Sequence, residues 1–259
     1  MHAYTQTHYR SNQLHFMGES INRLRLIAVV ALCLTALDVV AQGVGPFSGN
    51  TVDSKTMMVQ KKADELVDQG DYERAHLIYR NDLAPIGDKY AQYMVGYMYL
   101  TGMGVDEDPV LGSAWYRLAA ERSFEGFVEE RDQILAFFSD VDLLRSDTLY
   151  LQLRRKYTDA VLLLDLIRDD LDVLSDRTGS RLGGGGSPVL VFDLRSGSSV
   201  SADQYINQVR NQVEAHLKLI AIQLDTPNLN TDPGKVDLNE LETSVEEFVE
   251  TINDREPRR

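Results

Sequence analysis

The chain has 259 residues, of which 43% are hydrophobic, and its formal net charge is −14 at pH 7. This length and composition suffice for one or two globular domains with a sizeable core. Nucleic-acid binding requires clustered lysines and arginines that neutralise phosphates, so the acidic balance argues against a nucleic-acid partner.

Residues 1–41 have the pattern of a targeting segment. Basic residues precede an apolar run over 26–41 that ends in small side chains before Gln42. The run is roughly 16 residues long, shorter than the roughly 20 of a transmembrane helix. The pattern favours a cleaved signal peptide, with an uncleaved N-terminal anchor as the alternative. A true start at Met17 would give the compact basic region that such segments have.

Export would place the chain in the periplasm or outside the cell. It would be tethered to the inner membrane by residues 26–41 only if that segment is retained. The single cysteine, Cys33, lies inside the apolar run. Cleavage would therefore leave a chain with no cysteine and no disulfide, even in an oxidising compartment.

Residues 42–54 are rich in glycine, serine and asparagine and predict a flexible lead-in. After the lead-in, apolar residues recur at helical spacing and predict two helices. Gly70 and Asp71 separate them, and Asp71 can cap the second helix. Pro85 and Gly87 end the second helix.

The segment over 88–123 predicts two short helices folded against each other. The first spans roughly 88–100 and the second roughly 109–122. Gly102 and Gly104 in the connecting turn permit backbone angles that other residues resist.

Two further features of this segment favour a tight helical pair. Asp108 suits the N-cap of the second helix, and Pro109 suits its first position, where the missing N–H costs nothing. Gly96 in the middle of the first helix costs about 1 kcal/mol relative to alanine. We expect a close approach of the second helix to compensate for it.

The segment resembles a Sel1-like repeat, a relative of the tetratricopeptide repeat. The resemblance implies an α-solenoid unit that binds other proteins and needs no cofactor. Arg122 and Ser123 stand where the family has a glycine before the next repeat, so the array is expected to stop or distort there. The matching positions are Ala91, Gly96, Tyr99, Gly102, Gly104, Val105, Asp108, Ala114, Trp115, Tyr116, Ala119 and Ala120.

Residues 55–90 resemble an eroded preceding repeat. One repeat cannot bury its own apolar face, and about three are needed for a stable array. We therefore expect 55–150 to form one repeat region that is completed by a helical cap. The cap candidates are Phe124, Phe127, Ile134, Leu135, Phe137 and Phe138.

The remaining chain follows a heptad spacing, which is typical of long packed helices. We predict one long helix over 151–176, a Gly/Ser-rich loop over 177–200, and a helical region with an acidic tail over 201–254. The segment 188–194 inside the loop predicts either one β-strand or a docking segment. The first heptad seam contains Leu153, Tyr157, Ala160, Leu164, Ile167, Leu171 and Leu174. The second contains Ile206, Val209, Val213, Leu217, Ile220 and Leu224, and the third contains Leu238, Leu241, Val245, Phe248 and Ile252.

The predicted fold is therefore all-α, a short α-solenoid of helical pairs followed by long helices. Those long helices can pack within one chain as a bundle. Alternatively, they can form a coiled-coil hairpin that assembles homo-oligomers.

We find no pattern for a catalytic, cofactor or metal site. After residue 41 the only histidines are His76 and His216, and no Cys or His spacing suits a metal. A nucleophile elbow and a phosphate-binding loop are likewise missing from the sequence. The acidic pairs at 169–170 and 246–247 are expected on solvated helix faces. The sequence therefore predicts that the protein is not an enzyme.

Tyr90, Tyr93 and Tyr97 have the spacing that places residues on one face of a helix. First helices of solenoid pairs commonly line the face on which partners dock, and tyrosines suit such contacts. We take the three as candidate partner-binding residues. Burial between repeats is the alternative.

The favoured function is a non-enzymatic adaptor or scaffold of the bacterial cell envelope that binds another envelope protein. The alternative is an oligomeric structural or chaperone-like envelope protein assembled through the C-terminal helices. An enzyme is less favoured. Some proteins of the resembled family bind β-lactams, but those have cysteine-rich, disulfide-linked repeats.

Overall fold

A computed structural model describes residues 54–179, 190–193 and 198–251. The predicted targeting segment 1–41, including Met17, lies outside these residues, as does the lead-in up to residue 53. The described residues are mainly helical and contain one small hairpin, which confirms the predicted all-α fold.

Five helices form the repeat region, and four helices with one hairpin form the rest of the described chain. The repeat region contains α1 (Ser54–Asp68), α2 (Tyr72–Ile78), α3 (Lys89–Thr101), α4 (Pro109–Ala119) and α5 (Glu125–Leu135). It also has a π-helical turn (Tyr79–Leu83) and two 3₁₀ turns (Ala84–Ile86 and Ala120–Arg122). The rest contains α6 (Asp140–Tyr157), α7 (Asp159–Gly179), β1 (Leu190–Asp193), β2 (Ser198–Ser201), α8 (Ala202–Gln223) and α9 (Leu238–Glu250).

Helices α1 and α2 form a helical pair that precedes α3, and its assignment as an eroded repeat stays a prediction. Asp71 stands at the N-cap of α2, but its side chain accepts no capping hydrogen bond. Its carboxylate instead lies 3.1 Å from Arg74 Nη1, which corrects the predicted cap. Pro85 and Gly87 end this unit as predicted, since Gly87 takes the left-handed conformation with φ 77°.

Helices α3 and α4 cross at two glycines. A Cβ on Gly96 would lie 2.9 Å from Cδ2 of Tyr116 and 3.0 Å from the carbonyl oxygen of Gly112. A Cβ on Gly112 would lie 2.8 Å from the Gly96 carbonyl oxygen. The close approach predicted for Gly96 is confirmed, and Gly112 is its partner on α4.

The turn between α3 and α4 packs on the preceding helical pair. Gly102 ends α3 at φ 70°, and Gly104 follows at φ 74°. A Cβ on Gly104 would lie 2.4 Å from the carbonyl carbon of Tyr72, so the turn packs directly on the start of α2. The predicted N-cap is confirmed, because the Leu111 N–H donates to Asp108 Oδ1 at 3.1 Å.

The core of the repeat region is continuous from α1 to α6. The small residues of the helical pair allow this packing, and all four repeat alanines are buried: Ala91, Ala114, Ala119 and Ala120. Of the predicted cap, Phe127 and Ile134 are buried, while Phe124, Phe137 and Phe138 pack against the core at partial burial.

The predicted single helix over 151–176 is wrong, because Thr158 separates α6 from α7. Thr158 has an extended backbone with φ −66° and ψ 148°. Its N–H donates to the Arg154 carbonyl, and its own carbonyl accepts from Leu162, so one residue ends α6 and starts α7. The first heptad seam is split accordingly: Leu153 and Tyr157 pack on the repeat core, whereas Ala160 and the residues after it pack on a second core.

This second core lies between α7, α8 and α9. The predicted seams meet there within one chain. Its most buried members are Ala160, Leu163, Ile167, Val213, Leu217, Ile220 and Leu241. The C-terminal helices therefore form a bundle.

The region predicted as a loop contains a β-hairpin. Leu190–Asp193 pairs antiparallel with Ser198–Ser201, and Val191 lies opposite Val200. The loop prediction is corrected for these residues, and the alternative of a strand within 188–194 is confirmed. Ser201 then starts α8 with a capping box closed by Gln204.

Candidate functional site

A groove of about 400 Å³ opens between the helical pair and α6. Its floor is aromatic: Tyr99 comes from α3, Trp115 from α4 and Tyr157 from α6. The rings of Trp115 and Tyr157 stack with their centroids 5.5 Å apart. Aliphatic side chains complete the apolar surface: Leu111, Leu149 and Leu153.

The rim of the groove is cationic, although the chain as a whole is acidic. Arg80, Arg155 and Lys156 line it together with Gln152. Arg155 donates through Nε and Nη2 to the two carboxylate oxygens of Glu250, at 3.0 Å each. Within the described part of the chain, no ion pair involves Arg80 or Lys156.

The groove is suited to binding rather than to chemistry. Its lining residues offer aromatic faces, aliphatic surface and cations, but no thiol, carboxylate or histidine. His76 packs behind the floor, edge-on to Tyr99 at 5.3 Å. Burial lowers the pKa of His76, and the nearby charge of Arg80 lowers it further, so this imidazole is neutral at pH 7.

The structure corrects one of the three candidate tyrosines. Tyr93 is fully buried, stacked on Phe127 at 4.9 Å and edge-on to Tyr116 at 5.0 Å. A role in partner binding is therefore wrong for Tyr93, and the core alternative is correct. Tyr90 and Tyr97 are partly buried and lie outside the groove, so their partner contact stays a prediction. Burial raises the pKa of Tyr90 to about 12.

Comparison with protein families identifies the helical pair. A Sel1 repeat spans residues 89–124. This range contains α3, α4 and the 3₁₀ turn after them, and it supplies Tyr99 and Trp115 to the groove. Sel1 repeats are in general non-catalytic modules for protein interaction. Searches of curated proteins and of solved structures gave no significant match.

Helix α6 docks on α4 of the Sel1 repeat through buried polar contacts. The hydroxyls of Ser113 and Ser146 lie 2.8 Å apart. Arg117 is fully buried and donates to Asp147 at 2.9 Å, with its guanidinium 4.2 Å from the centroid of the Tyr150 ring. These contacts fix the position of α6 along α4.

A buried ionic network joins the Sel1 repeat to the α6–α7 junction. Lys89 is 1% exposed, and its Nζ lies 3.2 Å from Glu121 and 3.0 Å from Asp159. It also donates to the Gln92 side chain at 3.1 Å and to the Leu118 carbonyl at 3.0 Å. A buried lysine has to be held by several acceptors, and this arrangement provides four.

Glu121 is the second centre of this network, which we call the junction network. Its carboxylate accepts from the Thr158 hydroxyl at 3.0 Å and lies 3.5 Å from Arg154 Nε. Burial raises the pKa of Glu121, and the neighbouring Lys89 opposes that shift. The linker residue between α6 and α7 is therefore bonded directly to the end of the Sel1 repeat.

The residues that depart from the repeat family explain where the array ends. Arg122 lies 2.8 Å from Asp159 and donates to the Gly87 carbonyl at 2.9 Å. Ser123 adopts the left-handed conformation with φ 57°, which glycine favours. The backbone shape of the repeat is kept, but the Arg122 side chain binds the C-terminal bundle instead of leading into another repeat.

Arg154 holds the last helix against α6. It donates to the carbonyls of Val249 and Thr251 at the end of α9, the first at 3.0 Å. Its guanidinium also lies 4.7 Å from the centroid of the Phe248 ring. A cation at the C-terminal end of a helix satisfies carbonyls that lack intrahelical partners.

Sequence reasoning missed the junction network because its members are charged residue types that are usually exposed. It also placed the 169–170 pair on a solvated face, which is wrong for Asp170. That side chain is 3% exposed, and its Oδ2 lies 3.8 Å from Nδ1 of His216. No local pattern indicated the network, because Lys89, Glu121 and Asp159 come together only when the helices pack.

The described residues contain no cluster of three or more His, Cys, Asp or Glu side chains that could hold a metal ion. None of the helices in the same ranges is long and apolar enough to cross a membrane.

Proposed function

We propose that this chain is a non-enzymatic adaptor of the bacterial cell envelope that holds another envelope protein in the groove beside its Sel1 repeat. The observation that carries the proposal is the groove itself, where Tyr99 and Trp115 of the repeat meet Tyr157 of α6 under a cationic rim. Tryptophan, tyrosine and arginine are the residue types that most often dominate the energy of protein interfaces.

The geometry around the groove supports this role. Buried contacts hold helix α6 against the repeat, so the two walls of the groove are joined before a partner binds. A preformed site spares the partner the entropic cost of ordering it. The groove is also small, which fits the capture of one segment of a partner rather than a long surface.

The envelope location rests on the basic and apolar pattern of residues 1–41. Export with cleavage would give a mature chain that starts at Gln42. N-terminal sequencing of the protein from a fractionated bacterial host tests this: Gln42 as first residue in the periplasmic fraction supports the location. An intact chain in the cytoplasmic fraction contradicts it.

Site-specific crosslinking tests the adaptor role. We would place the photoreactive residue p-benzoylphenylalanine at Gln152, which is exposed and lines the groove, and in a second variant at Glu129 on α5, which is exposed and lies outside it. Irradiation of host cells should give a defined protein adduct from the first position and none from the second. Adducts of equal yield at both positions, or none at either, would contradict the proposal.

The homo-oligomeric alternative receives less support from the fold. The seams that would form an intermolecular coiled coil pack into the core of one chain, where Val213, Leu217 and Ile220 are each 0% exposed. A second copy could reach them only if the bundle opened. Sedimentation equilibrium of the full chain measures this, and we expect a monomer.

A further inference from the structure

We propose that the groove binds an acidic segment of the partner protein that carries an aromatic side chain between its carboxylates. This inference rests on the adaptor function proposed above and specifies the chemistry of the partner.

The charge around the groove argues for an anionic ligand. The chain has 40 acidic residues against 26 lysines and arginines. The ten residues that line the groove nevertheless include three cations and no carboxylate. This local inversion of charge is complementary to an acidic segment and disfavours a basic one.

The rim already shows how it holds a carboxylate. Glu250 binds Arg155 through both oxygens at 3.0 Å, and both side chains are about half exposed. Arg80 and Lys156 have no such carboxylate among the described residues. These two cations remain available for the ligand at the edge of the same apolar floor.

The floor argues for an aromatic side chain next to the carboxylates. Tyr99 and Tyr157 line the groove with partly exposed rings, whereas Trp115 is 2% exposed and stacks on Tyr157. About 400 Å³ is enough space for one large side chain. Aromatic rings pair favourably with one another in stacked or edge-on geometry. A segment with a ring between carboxylates would fill the floor and reach both cations at once.

The protein carries its own reporter for this test. Trp115 is the single tryptophan of the chain, and it lines the groove. Titration of the full chain with a synthetic peptide can therefore be followed by tryptophan emission. The acidic probe is a peptide with a central phenylalanine flanked by two glutamates on each side. The matched probes replace all the glutamates by glutamine, or the phenylalanine by alanine.

We expect the acidic probe to bind about 2- to 25-fold more tightly than the glutamine probe, since each exposed ion pair contributes a factor of about 1.5 to 5. The alanine probe should bind more weakly than the acidic probe. In the double variant Arg80→Gln/Lys156→Gln the acidic probe should fall to the affinity of the glutamine probe. Lys218→Gln, on an exposed face of α8, should change nothing.

Charge reversal separates recognition from a structural effect. Lys156→Glu should lose affinity for the acidic probe and gain affinity for a probe with lysines in place of the glutamates. Equal affinity of the acidic and glutamine probes for the original chain would overturn the inference. So would a change in Trp115 emission with protein concentration alone, together with a dimer in sedimentation, because a second copy would then occupy the groove.

The outcomes also separate this inference from the adaptor proposal. A crosslinked partner at position 152, together with no preference for the acidic probe, would leave the adaptor function in place and refute the acidic segment. A preference for the acidic probe that is lost in the double variant supports the inference whatever the identity of the crosslinked partner.

Discussion

Replacing Gly104 by alanine should destabilise the protein more than replacing Gly70 by alanine, because only Gly104 packs against the start of α2. Both glycines take the left-handed conformation, with φ 74° and 77°. A Cβ at Gly104 would lie 2.4 Å from the carbonyl carbon and 2.5 Å from the carbonyl oxygen of Tyr72. A Cβ at Gly70 would meet nothing within 4 Å.

The two substitutions share one cost and differ in another. Alanine in the left-handed conformation costs about 1–2 kcal/mol, partly offset by the reduced entropy of the unfolded chain. Gly70→Ala should therefore lower the free energy of unfolding by about 1 kcal/mol. Gly104→Ala adds a displacement of backbone against backbone, for which overpacking costs of about 1–3 kcal/mol are typical. The difference in free energy of unfolding between the variants measures the contact between the Gly104 turn and α2.

Thermal and urea unfolding of the full chain, followed by far-ultraviolet circular dichroism, tests this prediction. Each kcal/mol corresponds to about 2–4 °C in Tm for a chain near this size. We expect Gly104→Ala to melt at least a few degrees below Gly70→Ala, with the same helical content at low temperature. Equal losses in the two variants would refute the reasoning, because the turn would then not be held against α2.

Three further predictions concern buried charges. Burial raises the pKa of Asp88 to about 6, so the folded chain binds more protons than the unfolded chain between about pH 4 and pH 6, and its stability falls as the pH rises through that window. The free energy of unfolding of Asp88→Asn, measured in urea titrations, should therefore rise by up to about 3 kcal/mol relative to the original chain between about pH 4 and pH 7. A difference that stays constant with pH would contradict this prediction. Glu121→Gln should cost about 3–5 kcal/mol because it leaves buried cations without their partner, whereas Glu214→Gln in an exposed pair should cost at most about 1 kcal/mol in the same titrations. Arg154→Ala should accelerate amide hydrogen exchange in α9 and Arg155→Ala should not, because only Arg154 donates to the carbonyls at the end of α9. Equal exchange rates in the two variants would contradict this role of Arg154.

The sequence predicted the Sel1 repeat well because its structure is encoded locally. Glycine is unfavourable in the middle of a helix, so Gly96 indicates a close approach of another helix. Asp108 followed by Pro109 is a local signal for the start of a helix. The bounds of α3 and α4 follow from these residues. Heptad spacing likewise predicted which side chains of α8 and α9 are buried, because burial follows the period of the helix.

What the sequence did not predict depends on contacts between distant residues. The seam over 151–176 keeps its 4-3 spacing across the break at Thr158, so periodicity alone cannot show that two helices face two different cores. Tyr93 shares one helix face with Tyr90 and Tyr97, but the position of Phe127 decides that Tyr93 is buried. The groove could not be predicted for the same reason, since its walls come from α3, α4 and α6.

The junction network connects the fold to the proposed function. Six of the ten residues that line the groove belong to α6. Helix α6 is positioned by Arg117 on α4 and by the hydrogen bond between Thr158 and Glu121. Buried ion pairs add little net stability compared with apolar packing, but removing one partner is costly. Such ion pairs therefore suit the role of fixing one arrangement of α6 and the Sel1 repeat.

A segment bound in the groove contacts α6 and the Sel1 repeat at once, so it stabilises their docked arrangement. It should raise the melting temperature of the whole chain with increasing ligand concentration. A probe that changes Trp115 emission and raises the Tm, but leaves amide hydrogen exchange in α6 unchanged, would show that α6 is not a wall of the site.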